Sequence, residues 1–387
     1  MKKILLFAAA TLALAACKQS IPFEDVLYFT GTEVTAETSL YVDGPTEASF
    51  SVTSSSAVKK DVQVTVAIDP QGVDRYNAIN GTTFQMLPEG SYELNNATVT
   101  IPAKGNQSNA FTLNITSQDE FEDGVTYCVP FMIASTTGEA QPLRNGEFMY
   151  AIVKSVIHTR GVDFNRSGYL TVGSMLNKSS LTDLGACTME IRVKPESWSS
   201  RNPYISTLIG VEENFLLRFG DISCDPNQLQ LAGRGVSITS QMHFDVNTWY
   251  HIAIVDDGST ATLYVNGVMD SQVSSSGKGA INLASTWAGG FHIGYSADSG
   301  RCLDGILSEA RVWNRALSPV ELMNNQCIIS DPKKAAQEDA LLAYWKLDEA
   351  VQAGSVTQFE DLTGNGYNAT LSNSFEFVDG VKCPIID

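Results

Sequence analysis

Two tryptophans stand in text that reads as loop. Trp198 lies in the polar run Glu196-Ser197-Trp198-Ser199-Ser200-Arg201-Asn202-Pro203-Tyr204, and Trp287 lies in Ser285-Thr286-Trp287-Ala288-Gly289-Gly290. An exposed aromatic ring can cover the C–H face of a sugar while neighbouring polar groups take its hydroxyls, and loops on a rigid scaffold are where such groups are displayed. Trp198, Arg201, Tyr204 and Trp287 are therefore the candidate ligand-binding residues. The competing reading is that either tryptophan caps a core, as large aromatics usually do. Trp249, Trp313 and Trp345 stand in strand-like text and read as core.

Carboxylate chemistry is thinly supplied. Glycoside hydrolysis requires two carboxyl groups flanking one bond, about 5 Å apart when configuration is retained and further apart when it is inverted. The carboxylates on strand-like text are single: Glu190 in TMEIRV and Glu309 in LSEARVW. Glu309, Arg311 and Trp313 share one strand face at i, i+2 and i+4, which reads as an ion pair beside a packing tryptophan. No G-x-S-x-G motif occurs and the four histidines lie in unrelated contexts, so no catalytic residue is assigned.

The chain has 387 residues, of which 25 are basic and 43 acidic, for a net charge of −18. At roughly 150 residues per domain this predicts two or three domains. An acid excess with no basic run beyond the first three residues argues against nucleic acid, whose binding requires Lys and Arg to displace counterions. Residues 1–17 read MKKILLFAAATLALAAC, a basic start followed by a short apolar run and small residues, which is a secretory signal too short to span a bilayer. Leu14-Ala15-Ala16-Cys17 resembles a bacterial lipobox, which implies that Cys17 is lipidated and becomes the mature N-terminus. Lys18 in the following position resembles lipoproteins sorted to the outer membrane, and implies display there with the lipid as the sole membrane contact. Of the other six cysteines none forms a C-x-x-C pair, Cys128 reads as a small core residue, and the pairing of the rest stays open.

Two β-rich halves follow. From 21 to 158, short alternating runs such as Asp61 to Ile68 recur every 10 to 15 residues, the pattern of an all-β sandwich. Residues 64–105, with Tyr76-Asn77, Gly81-Thr82, Leu87-Pro88, Tyr92 and a Val-Thr-Ile-Pro strand, resemble an N-terminal domain of unknown function in Bacteroidota polysaccharide-utilisation lipoproteins. That resemblance implies an immunoglobulin-like sandwich over 24–158. His158 to Gly161 reads as the join.

In the second half Asn266-Gly267 stands between two apolar runs, the strongest short hairpin signal because both turn positions need φ > 0. Ser318-Pro319-Val320-Glu321 reads as a helix start with an N-cap serine, Pro at the first position and Glu completing a capping box. A second short helix is predicted after Asp331-Pro332. The segment WYHIAIVDDGSTATLYVNGVMDS, with residues 291–322 after it, resembles laminin-G-like, concanavalin A-like jelly rolls. The resemblance implies an all-β fold over 162–387 with one or two short helices. Residues 341–371 resemble text that opens the domain in most relatives, which implies an edge strand contributed from the C-terminus.

Relatives of this kind include lectins, glycosidases and adhesion modules, so the fold does not decide the function. Many hold a calcium ion through oxygen ligands near the rim, which makes Asp163, Asp304 and Asp361 the candidate metal ligands. The expected function is a non-catalytic cell-surface lipoprotein that binds a glycan and assists polysaccharide capture. The alternatives are a divergent glycoside hydrolase on the same fold, or a structural or adhesion lipoprotein that binds protein partners.

Overall fold

The computed structural model describes residues 25–143 and 146–384. The segment expected to be a secretory signal, with Cys17, lies outside the described residues. The described chain is all-β, with two sandwiches in sequence and three α-helices.

The first sandwich closes a five-stranded sheet against two three-stranded ones. The five-stranded sheet runs Glu37–Val42, Phe148–Ser155, Thr126–Thr136, Val62–Ile68 and Thr98–Ile101. In Val62–Ile68 the side chains of Val62, Val64 and Val66 are buried while Gln63 is exposed, the period of two that the sequence shows. Phe111 holds the centre of this core, 5.8 Å from Phe29 and 5.4 Å from Phe131 in edge-on geometry.

The helix Gly72–Asn80 was not expected from the sequence. Only Val73 and Tyr76 of its larger apolar residues are buried while Ile79 is exposed, so the face turned to the sheet is too short for a clear helical period. The pair covers the outer face of the sheet together with buried Cys128, Tyr150 and Ile152. The Tyr-Asn…Gly-Thr pattern has its reason here. Asn77 donates to the Phe84 carbonyl at 2.8 Å and accepts from Phe84 N and the Thr82 hydroxyl, while Gly81 ends the helix at φ +66°.

The second sandwich pairs an eight-stranded sheet with a nine-stranded one. The eight-stranded sheet runs Val268–Ser274, Thr260–Val265, Tyr250–Asp256, Cys187–Pro195, Gly305–Trp313, Ile157–Asp163 and Glu376–Cys383, and Leu341–Trp345 pairs with Gly305–Trp313 as well. The join read at 158–161 thus lies inside the strand Ile157–Asp163. The nine-stranded sheet runs Val236–His243, Cys224–Gly233, Phe215–Asp221, Ser206–Val211, Phe291–Ile293, Tyr169–Thr171, Ala369–Ser372, Val356–Phe359 and Val351–Ala353.

The C-terminal text contributes more than the single edge strand expected. Three strands form one margin of the nine-stranded sheet, another pairs in the eight-stranded sheet with Gly305–Trp313, and Glu376–Cys383 closes that sheet's edge. The hairpin at Asn266-Gly267, with φ of 51° and 78°, and the helix Pro319–Asn324, with its Ser318–Glu321 capping box, form as the sequence predicts. A second helix, Pro332–Glu338, is capped by Asp331.

Both faces of the eight-stranded sheet are covered. Met189, Ile191 and Val193 enter the main core, and Trp313, Tyr344 and Leu322 form a second apolar layer on the outer side. Trp345, with no exposed surface, sits in the main core 6.0 Å from Phe291 and donates its indole N–H to the Tyr367 carbonyl at 2.8 Å. No helix of the described residues is long and apolar enough to cross a membrane.

Candidate functional site

On the nine-stranded sheet, alternation sends Leu170, Phe291 and Ile293 into the core and leaves Tyr169, Thr171 and His292 on the opposite face. Thr171 pairs with His292 across neighbouring strands, and its hydroxyl meets His292 Nδ1 at 3.1 Å. His292 Nε2 lies 3.1 Å from the Ala288 carbonyl. A carbonyl only accepts, so Nε2 carries the proton and Nδ1 accepts from the threonine. Burial lowers the His292 pKa below the usual histidine value, which keeps the ring neutral at neutral pH.

Tyr169 stacks on Tyr295 with ring centroids 4.3 Å apart and 18° between planes. The His292 ring packs edge-on against both, at 5.9 and 4.9 Å. Each such pair contributes about 0.5–1.5 kcal/mol beyond its buried area, so the three rings form a rigid aromatic plate. Trp287 stands at the end of this plate, 60% exposed, on the tight turn that also presents the Ala288 carbonyl to His292. Gly290 is required in that turn. Its φ is +100°, and a Cβ there would come within 2.4 Å of Leu176.

Beside the plate runs a chain of charges. Arg218 is held by Gln230 at 2.8 Å and Asp221 at 2.9 Å, and lies 3.8 Å from Glu212. Glu212 accepts from Arg301 at 3.0 Å, Arg301 approaches Asp298 at 3.8 Å, and Asp298 pairs with Arg201 at 3.3 Å. Glu212 Oε2 is buried without a partner. Tyr295 feels both Asp298 and Arg301, which places the chain against the aromatic plate, and burial foremost raises its phenol pKa. A surface with fixed aromatic faces and positioned donors and acceptors is suited to a polyhydroxylated ligand.

The residues singled out from the sequence divide. Trp287 is exposed at the plate, and Arg201 lies 66% exposed at the far end of the charge chain. Tyr204 is partly exposed in a left-handed conformation near Arg201, whose carbonyl its N–H meets. Trp198 stands in the loop before Ser206–Val211, with its ring turned toward the core. It is half-buried and packs edge-on against core Phe219 at 4.9 Å. The loops of Trp198 and Trp287 precede neighbouring antiparallel strands, Ser206–Val211 and Phe291–Ile293, and so lie at opposite ends of the sheet. Trp249 is half-buried, with the Arg192 guanidinium 4.6 Å above its ring, and is not a core residue.

The three aspartates do not gather. Asp361 Oδ1 accepts from Tyr344 N, Thr363 N and the Thr363 hydroxyl, and Oδ2 accepts from Tyr367 N. Its lone pairs face N–H and O–H donors, the wrong polarity for a cation, so it organises a turn. Asp304 is engaged by Arg166 at 2.9 Å and by Ser197, and Asp163 closes a local turn onto Asn165 N at 2.7 Å. No cluster of three or more His, Cys, Asp or Glu occurs among the described residues.

Glu190 and Glu309, the strand carboxylates, lie on the outer face of the other sheet and are fully buried. Burial pushes the Glu309 pKa up to about 7 against the attraction of Arg311. For Glu190 burial acts in the same direction, but the hydrogen bond from His251 and the charge of Arg311 outweigh it and the pKa is lowered. The residues missed from the sequence are Tyr169, His292, Tyr295, Arg218, Glu212 and Arg301. The available signal was the polar or aromatic position flanked by apolar ones in Tyr169-Leu170-Thr171 and Phe291-His292-Ile293.

Residues 164–323 match the family model of the concanavalin A-like lectin/glucanases superfamily, and residues 23–140 match that of an N-terminal domain family. The fold is similar to that of a candidate carbohydrate-binding protein from Bacteroides ovatus, at 23% identity and a TM-score of 0.56, over 92% of this chain and 97% of that one. Matches of lower score are EndoBT-3987 of Bacteroides thetaiotamicron, in complex with a Man5GlcNAc product (17% identity, 33% of this chain, 30% of that one, TM-score 0.28), and a two-domain protein of unknown function from Bacteroides fragilis (11% identity, 75% and 95%, TM-score 0.31). No curated protein matches the chain.

Proposed function

Because the C-terminal half of this chain is a concanavalin A-like jelly roll, we propose that it binds a glycan across the outer face of the nine-stranded sheet, as the recognition part of a lipid-anchored protein at the cell surface. The observation that carries the reading is the Tyr169–Tyr295–His292 plate with exposed Trp287 at its end and the Arg218–Glu212–Arg301–Asp298–Arg201 chain beside it. The similarity in fold to the Bacteroides ovatus protein supports it. Sugar rings lie on Trp287 and on the partly exposed Tyr169 and Tyr295, and their hydroxyls meet Arg201, Asp298 and Arg301, while buried His292, Arg218 and Glu212 hold these groups in place. The first sandwich acts as the spacer between the anchor and the binding domain.

The test is a glycan array probed with the full chain and with Trp287→Ala and Tyr295→Ala. The parent binds a plant or host polysaccharide, and each variant weakens that binding about tenfold or more, the usual loss when a central aromatic contact is truncated. Binding to no polysaccharide, or variants that bind as the parent does, would refute the proposal. Release of reducing ends from the bound polysaccharide would make the domain a glycoside hydrolase instead.

The anchor has its own test. Cys17→Ala moves the protein from the membrane fraction to the soluble fraction, since one cysteine carries the lipid. Retention of the variant in membranes would overturn lipidation at this site.

A further inference from the structure

The crevice between the two sandwiches carries an unpaired cation. It encloses about 290 Å3 and is walled by Tyr41 from the first sandwich and by Arg192, Trp249, His251, Asn266 and Gln326 from the second. Arg192 is 4% exposed, yet among the described residues no carboxylate lies within ion-pair distance of it. Glu309 is its cross-strand neighbour but turns to Arg311, which it meets at 3.0 Å. The Arg192 guanidinium is held by the Ser308 hydroxyl at 3.2 Å, the Lys382 carbonyl and the Trp249 ring, all of them neutral.

A buried arginine ordinarily has an anionic partner, because desolvating the charge is costly. Burial lowers the Arg192 pKa to about 10 against the attraction of the Glu309 charge beyond ion-pair distance, which still leaves a cation at neutral pH. Asp43, two residues from Tyr41, is taken up by Lys382 at 2.7 Å and His158 at 2.6 Å, so it does not neutralise Arg192. His251 donates from Nε2 to Glu190 at 3.0 Å, and its buried Nδ1 has no partner.

We propose that this crevice is a second binding site, separate from the sheet face, for a saccharide that carries a carboxylate. The guanidinium fork of Arg192 takes the carboxylate, as planar guanidinium groups do. The free surfaces of Trp249 and Tyr41 take the sugar ring, and the amides of Asn266 and Gln326 take hydroxyls. A uronic acid and a sialic acid present the same group. The site does not depend on the sheet-face reading.

Titration calorimetry of the full chain with digalacturonate, 3′-sialyllactose and neutral lactose separates the outcomes. At least one acidic probe binds ten times more tightly than lactose or better, and which one does identifies the source of the carboxylate. Arg192→Gln weakens that binding at least tenfold. Tyr41→Ser, on a partly exposed residue of the other sandwich, weakens it several-fold without touching the arginine's surroundings. Trp287→Ala leaves it unchanged. Acidic probes that bind no better than lactose would overturn the proposal, as would binding abolished by Trp287→Ala but insensitive to Tyr41→Ser and Arg192→Gln.

Discussion

Replacing Arg311 by alanine destabilises the second sandwich by about 3–5 kcal/mol, the usual cost of removing one partner from a buried ion network. Arg311 is fully buried between two carboxylates. It donates to Glu309 at 3.0 Å, lies 3.7 Å from Glu190, and donates to the carbonyls of Cys327 (2.8 Å) and Asn325. Without it Glu309 keeps its burial and loses the main attraction that offsets it, so its pKa rises further above about 7.

The pH dependence follows from that direction. A carboxyl whose folded pKa lies above its unfolded value binds more protons when folded, so stability falls as pH rises from the unfolded pKa through the folded one. In the parent that window closes near pH 7, and in Arg311→Ala it extends to higher pH. The double variant Arg311→Met with Glu309→Leu recovers part of the loss, because an apolar pair needs no counter-charge and Glu190 keeps its hydrogen bonds from His251 and Trp313. Urea denaturation at pH 6 and pH 8 measures all of this. A single variant within about 1 kcal/mol of the parent, or a double variant no better than the single, would contradict the network.

Reducing the Cys327–Cys383 disulfide lowers the melting temperature of the second sandwich by roughly 10 °C. The two cysteines are 56 residues apart in sequence. Opening a loop of that length frees about 4 kcal/mol of chain entropy in the unfolded state, and a domain of this size loses about 2–4 °C per kcal/mol. The bond also fixes the segment after helix Pro319–Asn324, whose Asn325 and Cys327 carbonyls cap Arg311 and whose Ile328 packs near Gly124 of the first sandwich. The Cys327→Ser/Cys383→Ser variant therefore couples to Arg311→Met, and the two losses add to less than their sum. Cys128, Cys187, Cys224 and Cys302 are buried thiols, so among the described residues a mild reductant acts on this one bond. Calorimetric scans with and without reductant, with mass spectrometry to confirm two new thiols, measure the shift. An unchanged melting temperature after verified reduction would refute it.

What the sequence made legible follows from how locally each feature is specified. The Asn266-Gly267 turn and the Ser318 capping box are fixed by residues within four positions of one another, and both form. Met189, Ile191 and Val193 alternate in the sequence with Glu190 and Arg192, and this period of two marks the core face of their strand. It could not say that Glu190 and Arg192 are also buried, because the cover comes from the exit helices and their apolar layer far along the chain. The Glu309–Arg311–Trp313 face was legible as an ion pair beside a tryptophan, but its second carboxylate, Glu190, arrives from a strand over 100 residues earlier.

The candidate site shows the same division. Trp287 was visible because its glycines mark a turn. Tyr169 and His292 lie on strands of three residues, too short to display a period of two, and they meet across more than 120 positions of sequence. For Trp198 the sequence left two readings open, an exposed loop ring or a cap on the core, because only the position of Phe219 shows that the polar loop folds the ring back. The Cys327–Cys383 pairing depends on the closing strand Glu376–Cys383 reaching the exit-helix loop, which no local signal encodes.

The glycan-binding face is tested most directly by following Trp287 itself. It is the tryptophan that stands 60% exposed, whereas Trp313 and Trp345 are buried. Adding the polysaccharide selected on the array to the full chain should shift tryptophan emission to the blue and protect it from acrylamide quenching, with a saturable dependence on concentration. In Trp287→Phe both changes should disappear. Saturable binding that leaves the quenching of Trp287 unaltered would contradict the account and place the glycan elsewhere on the molecule.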